Sequence, residues 1–231
     1  MQRYNDLSSY LKKKFGSRLL KLSIDGGFSC PNRKNGKKGC KFCSETGSGE
    51  FTTKRKSITE QLKAQISFLK EKDKSNGYIA YFQSYTNTFL PVEQLRKMYY
   101  EAINFPNVKV LSIATRADCF NEEIYNLLAE LNDKIEVWIE LGLQSSNENT
   151  RNNMNIGYST ETFENCVKRL KELNIKTIFH IIFGLPNETE KDYKNTIDYV
   201  NTKNLGALKF TAFIFRTIVN YMRIIKKTVS K

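Results

Sequence analysis

The chain has 231 residues, 40% hydrophobic and 26% charged, a globular balance that fits one large domain or two small ones at roughly 150 residues each. No apolar run approaches the roughly 18 residues of a membrane-spanning helix, which argues against integral membrane association. The start, Met1-Gln2-Arg3-Tyr4-Asn5-Asp6, has no apolar secretory core, so a reducing, cytoplasmic setting is expected. There, five cysteines are free thiols unless a metal holds them. The 37 Lys+Arg against 24 Asp+Glu leave a net charge of +13. The lysines are dispersed, so a polyanion partner and an ordinary solvated surface both fit.

Strands and helices alternate in the pattern. Leu19 to Asp25 reads as a strand ending at Gly26-Gly27. A helix follows from Ser57, with Ile58, Leu62, Ile66 and Leu69 at helical spacing and Ser57 and Glu60 as a capping box. Tyr78 to Phe82 is a strand, and Pro91 to Asn104 a helix with proline in its first turn. Strands over Val108–Ile113, Ile135–Leu143 and Ile175–Phe183 alternate with helices over Asn121–Leu131, Ser159–Leu173 and Glu188–Val200. Leu208 to Phe215 is a sixth strand candidate.

This alternation argues for parallel strands with crossover helices. In the segment from Ile135 to Gln144 the odd positions are apolar, while the even ones are Glu136, Trp138, Glu140, Gly142 and Gln144. A strand of an open doubly wound sheet is apolar on both faces; a strand lining a polar lumen is split in this way. His180, the only histidine, shares a face with Lys176 and Gly184. The expected fold is therefore α/β, a partial (β/α) barrel of about six parallel strands, with its site at the C-terminal strand ends.

The strongest chemical signal follows the first strand. Cys30, Cys40 and Cys43 lie in one loop punctuated by Pro31, Gly36 and Gly39. Cys-x-x-Cys brings two sulfurs to one centre, and the longer span returns the third. Structural zinc is normally closed by four ligands. Three thiolates leave a coordination position open, as suits a [4Fe–4S] cluster with one iron free for a cofactor or substrate. A zinc-bearing, basic nucleic-acid-binding protein without catalysis is the alternative. Cys166, between Phe163 and Leu170, and Cys119, after the third strand, read as structural.

The motif Ser23-Ile24-Asp25-Gly26-Gly27-Phe28-Ser29-Cys30-Pro31-Asn32-Arg33, then Gly39-Cys40-Lys41-Phe42-Cys43, resembles the radical S-adenosylmethionine (SAM) enzymes. More narrowly it resembles the YhcC/YtqA-like group, kin to the Elongator catalytic subunit. Four further blocks agree: Tyr81 to Thr88, Ala114 to Cys119, Leu141 to Ser145 and Phe183 to Thr189. The resemblance covers about residues 3 to 204.

It implies that Cys30, Cys40 and Cys43 hold a [4Fe–4S] cluster whose fourth iron is chelated by SAM. Reductive cleavage would give methionine and a 5′-deoxyadenosyl radical that abstracts hydrogen from a substrate in the lumen. Gln83, Tyr85 and Asn87 would meet the methionine end of SAM, Glu140 and Gln144 its ribose or carboxylate region, and Arg116 a carboxylate. Gly184 and Pro186 would let backbone approach the adenine. For Glu140, Gln144 and Arg116, a buried network that only supports the barrel is the competing reading. A one-electron reductant such as a flavodoxin or ferredoxin is implied, and tRNA is one candidate substrate.

The tail departs from the family. Tyr199 to Lys231 contains no Asp or Glu, while Lys203, Lys209, Arg216, Arg223, Lys226, Lys227 and Lys231 are basic. The chain is expected to divide into a core over 1–205 and an atypical basic tail over 206–231. A frameshift near Leu205 to Ala207, truncating the barrel, would explain the composition; a true basic tail that binds RNA or a membrane surface is the rival.

Overall fold

A computed structural model of the chain describes residues 6–34, 36–37, 39–43, 57–69, 75–203 and 207–212. In chain order the elements are α1 (Leu7–Phe15), β1 (Leu20–Ile24), α2 (Ile58–Leu69), β2 (Tyr78–Phe82), α3 (Val92–Ile103), β3 (Val108–Thr115) and α4 (Glu122–Asn132). Then come β4 (Glu136–Gln144), α5 (Glu148–Asn153), α6 (Thr160–Glu172), β5 (Lys176–Phe183), α7 (Glu190–Asn201) and β6 (Ala207–Ala212).

All six strands pair in parallel in the order β1-β2-β3-β4-β5-β6. That order never reverses, whereas a doubly wound sheet must reverse at a switch point. Right-handed crossovers taken in one direction put every connecting helix on one face and leave the other as a lumen. Outward positions such as Leu22, Ile24, Leu111, Ile113, Val137, Ile139, Phe179 and Ile181 pack with Leu62, Leu95, Tyr99, Leu128, Phe163 and Leu170 of the helices. This is the partial barrel expected from the split character of β4.

The helix starts are chemically defined. Ser57 and Glu60 form the reciprocal capping box: Ser57 N donates to Glu60 Oε2 at 2.8 Å and Glu60 N to Ser57 Oγ at 3.2 Å. Asn121 caps α4 through Ile124 N at 2.9 Å, and Thr189 with Asp192 makes a second capping box at α7.

Two helices have no counterpart in the sequence reading. α1 is capped by Asp6 and stopped at Gly16, whose φ is +73°. It closes the bottom of the lumen: Leu11, Leu19, Ile79, Val110 and Trp138 form an apolar cluster joined by Tyr10 and Phe15. α5 spans only six residues after β4. Among the described residues the sixth strand covers Ala207–Ala212, so the start of the expected tail continues the sheet, while the expected Phe213 to Phe215 lie outside the described residues. Residues 213–231, carrying most of the tail's basic side chains, lie outside the described residues.

Candidate active site

The cysteine loop begins at the C-terminal end of β1. Asp25 Oδ1 accepts from Gly27 N at 2.9 Å, and buried Phe28 anchors the turn. A Cβ on Gly26 would lie 2.2 Å from the Phe28 ring, so glycine is required there. Cys30 starts a short 3₁₀ turn, Pro31–Arg33, with Arg33 N donating to Cys30 O at 2.9 Å. Cys43 N donates to Cys40 O at 3.0 Å, so Cys40 and Cys43 flank one tight turn.

Asn32 ties this loop to the turn after α5. Its Nδ2 donates to Asn155 O at 2.6 Å, Ile156 O at 3.0 Å and Cys40 Sγ at 3.3 Å, while its carbonyl accepts from Gly39 N at 3.0 Å. Asn155 Nδ2 returns a bond to Gly39 O at 2.9 Å, and Lys41 N reaches Met154 O at 3.0 Å. The cysteines thus rest on a hydrogen-bonded frame spanning β1 to α5.

The sulfurs interact. The Cys43 thiol donates to Cys40, which draws Cys40 down to about 6 against its burial, with help from the Asn32 amide and the Arg116 guanidinium 4.0 Å away. The same bond, with burial, pushes Cys43 up, and the charge of Cys30 adds to that push. All three therefore occupy one electrostatic neighbourhood, in which the Cys40 thiolate is favoured. Among the described residues, no three His, Cys, Asp or Glu side chains converge closely enough for a single metal ion. His180 is engaged elsewhere, on Glu140. The donor set fits a [4Fe–4S] cluster with one iron lacking a protein ligand.

Below the loop, Glu140 is buried in the middle of the lumen. Its Oε1 accepts from Lys21 Nζ at 2.8 Å and Ser112 Oγ at 2.7 Å; its Oε2 takes His180 Nε2 at 2.6 Å and Lys209 Nζ at 3.2 Å. Burial alone would raise its pKa, but His180, Lys21 and Lys209 together hold the carboxyl far below its ordinary range. Burial lowers His180 more than the carboxylate raises it, so the imidazole is neutral and donates. Lys21 Nζ also lies 3.5 Å from the centre of the Tyr81 ring, and Lys209 donates to the Tyr81 hydroxyl at 3.1 Å. In this structure Glu140 belongs to the supporting lumen network that competes with its reading as a SAM contact. Lys21 and Ser112 have no role in the sequence reading, and Tyr81 enters it only as the first residue of a family-like block. Partners from separate strands meet only through sheet register, although two-residue alternation would have placed each on the lumen face.

The remaining candidates ring the strand ends. Gln83 Oε1 accepts from Ser23 Oγ at 3.0 Å. Tyr85 sits at φ +61° with the Arg33 guanidinium 5.6 Å from its ring centre. Asn87 is buried; its amide donates to Ala114 O at 2.7 Å and Phe82 O at 3.2 Å, clamping β2 to β3. Its Oδ1 is buried with no hydrogen-bond partner among the described residues. Arg116 is held in a fork by Asp118 at 2.9 and 2.8 Å, with its guanidinium 4.8 Å from the Tyr158 ring centre. Gln144, at φ +67°, folds back over Gly142, where a Cβ would lie 2.5 Å from its Nε2. Gly184, at φ +88°, donates its N–H to the Tyr193 hydroxyl at 3.2 Å, and Pro186 is exposed. Cys119 and Cys166 are both pushed up to about 12 by burial, and Cys166 packs in the helical core.

Arg151 was not legible from sequence. It is fully buried, donating to Leu143 O at 2.6 Å and Tyr158 O at 2.8 Å. It fixes the turn on which the cysteine loop rests, and its Asn-rich surroundings carry no apolar period that would have revealed it.

Comparison with known proteins agrees with this geometry. The profile of the radical SAM superfamily matches residues 29–200. YtqA of Bacillus subtilis (strain 168) is 40% identical over 214 residues, covering 90% of this chain and 66% of YtqA. YhcC of Escherichia coli (strain K12) is 34% identical over 202 residues, covering 86% of this chain and 64% of YhcC. The chain thus spans just under two thirds of the length of these relatives. Coproporphyrinogen III oxidase (HemN) from Escherichia coli, a radical SAM enzyme, shares the fold at a TM-score of 0.60 and 17% identity, covering 98% of this chain and 55% of HemN. With three cysteines framed above the strand ends of a six-stranded partial barrel, the chain belongs to the radical SAM superfamily.

Proposed function

We propose that this chain is a radical SAM enzyme that binds a [4Fe–4S] cluster through Cys30, Cys40 and Cys43 and leaves one iron for S-adenosylmethionine. The observation that carries this reading is the trio of mutually interacting sulfurs on a rigid frame, with the chain's one histidine committed to Glu140. When bound, the cluster supplies an electron that splits the C5′–S bond of SAM, giving methionine and a 5′-deoxyadenosyl radical for hydrogen abstraction.

The protein's part is binding, orientation and exclusion of water. Arg116, 4.0 Å from Cys40 and oriented by Asp118, is the guanidinium proposed to take the carboxylate of SAM. Asn87 Oδ1 is a buried acceptor suited to an ammonium donor. Gln83, Tyr85 and Gln144 at the strand ends, with backbone access at Gly184 and Pro186, complete the proposed SAM contacts. Glu140, also a proposed SAM contact, is held in place by the lumen network. A flavodoxin or ferredoxin would deliver the electron, in the cytoplasm. Among the described residues no helix is long and apolar enough to cross a membrane. The substrate stays open among tRNA, peptides and small molecules.

Anaerobic reconstitution with iron and sulfide tests the reading. A brown protein with equimolar iron and sulfide that forms 5′-deoxyadenosine on reduction, with both properties lost in Cys40→Ala, is expected. Zinc held by the same thiols, with no SAM turnover, overturns it and favours the non-catalytic nucleic-acid reading.

A further inference from the structure

The middle of the lumen carries more positive charge than its carboxylate neutralises. Among the described residues, Glu140 is the carboxylate within ion-pair distance of Lys21, at 2.8 Å, and of Lys209, at 3.2 Å. The third partner, His180, meets the same group through Nε2 at 2.6 Å. Two ammoniums therefore share one carboxylate. The layer below repeats the imbalance: Lys14 and Lys176 both pair with Glu136, with Lys176 at 2.7 Å. In a partly desolvated cavity such an excess is not screened as it would be at the surface.

The two upper lysines come from the edge strands, β1 and β6, and converge on Tyr81 of β2. Lys21 lies against its ring and Lys209 donates to its hydroxyl. Their side chains keep 32% and 40% of their exposure, so neither lysine is wholly enclosed. Burial and the nearby Lys209 both work against the charge on Lys21. An incoming anion would relieve both effects.

We propose that the lumen binds an anionic group of the substrate, a carboxylate or a phosphate, between Lys21 and Lys209, where it competes with Glu140 for the two ammoniums. This rests on the radical SAM reading only in assigning the lumen to substrate; the anion site itself needs no cluster. It narrows the substrate to a molecule that carries an acidic group.

The test uses reconstituted protein and two probes, inorganic phosphate and propanoate, each titrated against sodium chloride at matched ionic strength. Calorimetry gives affinity, and Trp138 fluorescence verifies folding. Lys21→Met and Lys209→Met are each expected to weaken the preferred probe about tenfold or more, while exposed Lys12→Met leaves it unchanged. Glu140→Gln is expected to tighten binding, because it removes the competing carboxylate; a purely structural network would not show this. Preference for one probe names the acidic group. If neither probe binds above the chloride control, or binding is indifferent to both lysines, the inference is overturned. SAM cleavage measured on the same samples separates the two claims: turnover without anion binding removes only this one, and anion binding without a cluster removes only the radical reading.

Discussion

Asn32 shows how much one side chain can decide. It reads in sequence as a polar loop residue, yet it contacts Cys40 Sγ and two backbone carbonyls across the molecule. The contact is possible because Gly157 stands opposite: a Cβ there would lie 2.4 Å from Asn32 Oδ1, and the backbone sits at φ +81°. Gly157→Ala should therefore cost about 2 kcal/mol in denaturant unfolding, from the strained backbone and the displaced amide. It should also reduce the iron taken up on reconstitution. Gly36→Ala is the control, because its φ is +74° but nothing lies within 4 Å of the added Cβ. It should show backbone strain without loss of iron.

At the scale of elements, α1 carries a role that its length hides. At nine residues it is too short to be a stable helix in isolation. Leu7, Tyr10, Leu11 and Phe15 nevertheless follow helical spacing, and the barrel bottom supplies the apolar partner. Tyr10 adds a polar link, its hydroxyl donating to Glu136 Oε1 at 2.9 Å. Leu11→Ala should cost about 3 kcal/mol, the usual range for a fully packed leucine. Trp138, the chain's only tryptophan, lies in the same cluster, so its emission should shift to the red as the plug loosens. Unchanged emission with unchanged stability would show that α1 is not a plug.

Taken whole, the molecule is an outer shell of close-packed helices around a charged lumen, and that arrangement sets its response to acid. Glu140 is held below its ordinary range, so its contribution is present at neutral pH and disappears as pH falls through its folded value. His180 is lowered from its usual 6.5 by burial, so the unfolded chain gains a proton first and stability drops as pH falls below that point. Both act in the same direction. The unfolding midpoint should decrease between pH 7 and 5, and His180→Gln should flatten that slope. A midpoint that rises on acidification would mean that the imidazole is already charged in the fold.

Much of this was written locally. Strand and helix alternation, the capping residues and the two-residue alternation of β4 follow from neighbouring side chains, which is why the parallel fold and the lumen face of Glu140 and Gln144 could be read in advance. The three cysteines were legible for the same reason, since their spacing is a property of one loop. Other features depend on residues far apart in the chain. Whether α1 forms, what Asn32 and Arg151 hold, and that two lysines and a tyrosine meet one carboxylate are set by strand register and by the curvature that closes the lumen. Local sequence carries each side chain's chemistry and face; only the assembled sheet decides which side chains share a layer, because their pairing distances cross more than a hundred residues.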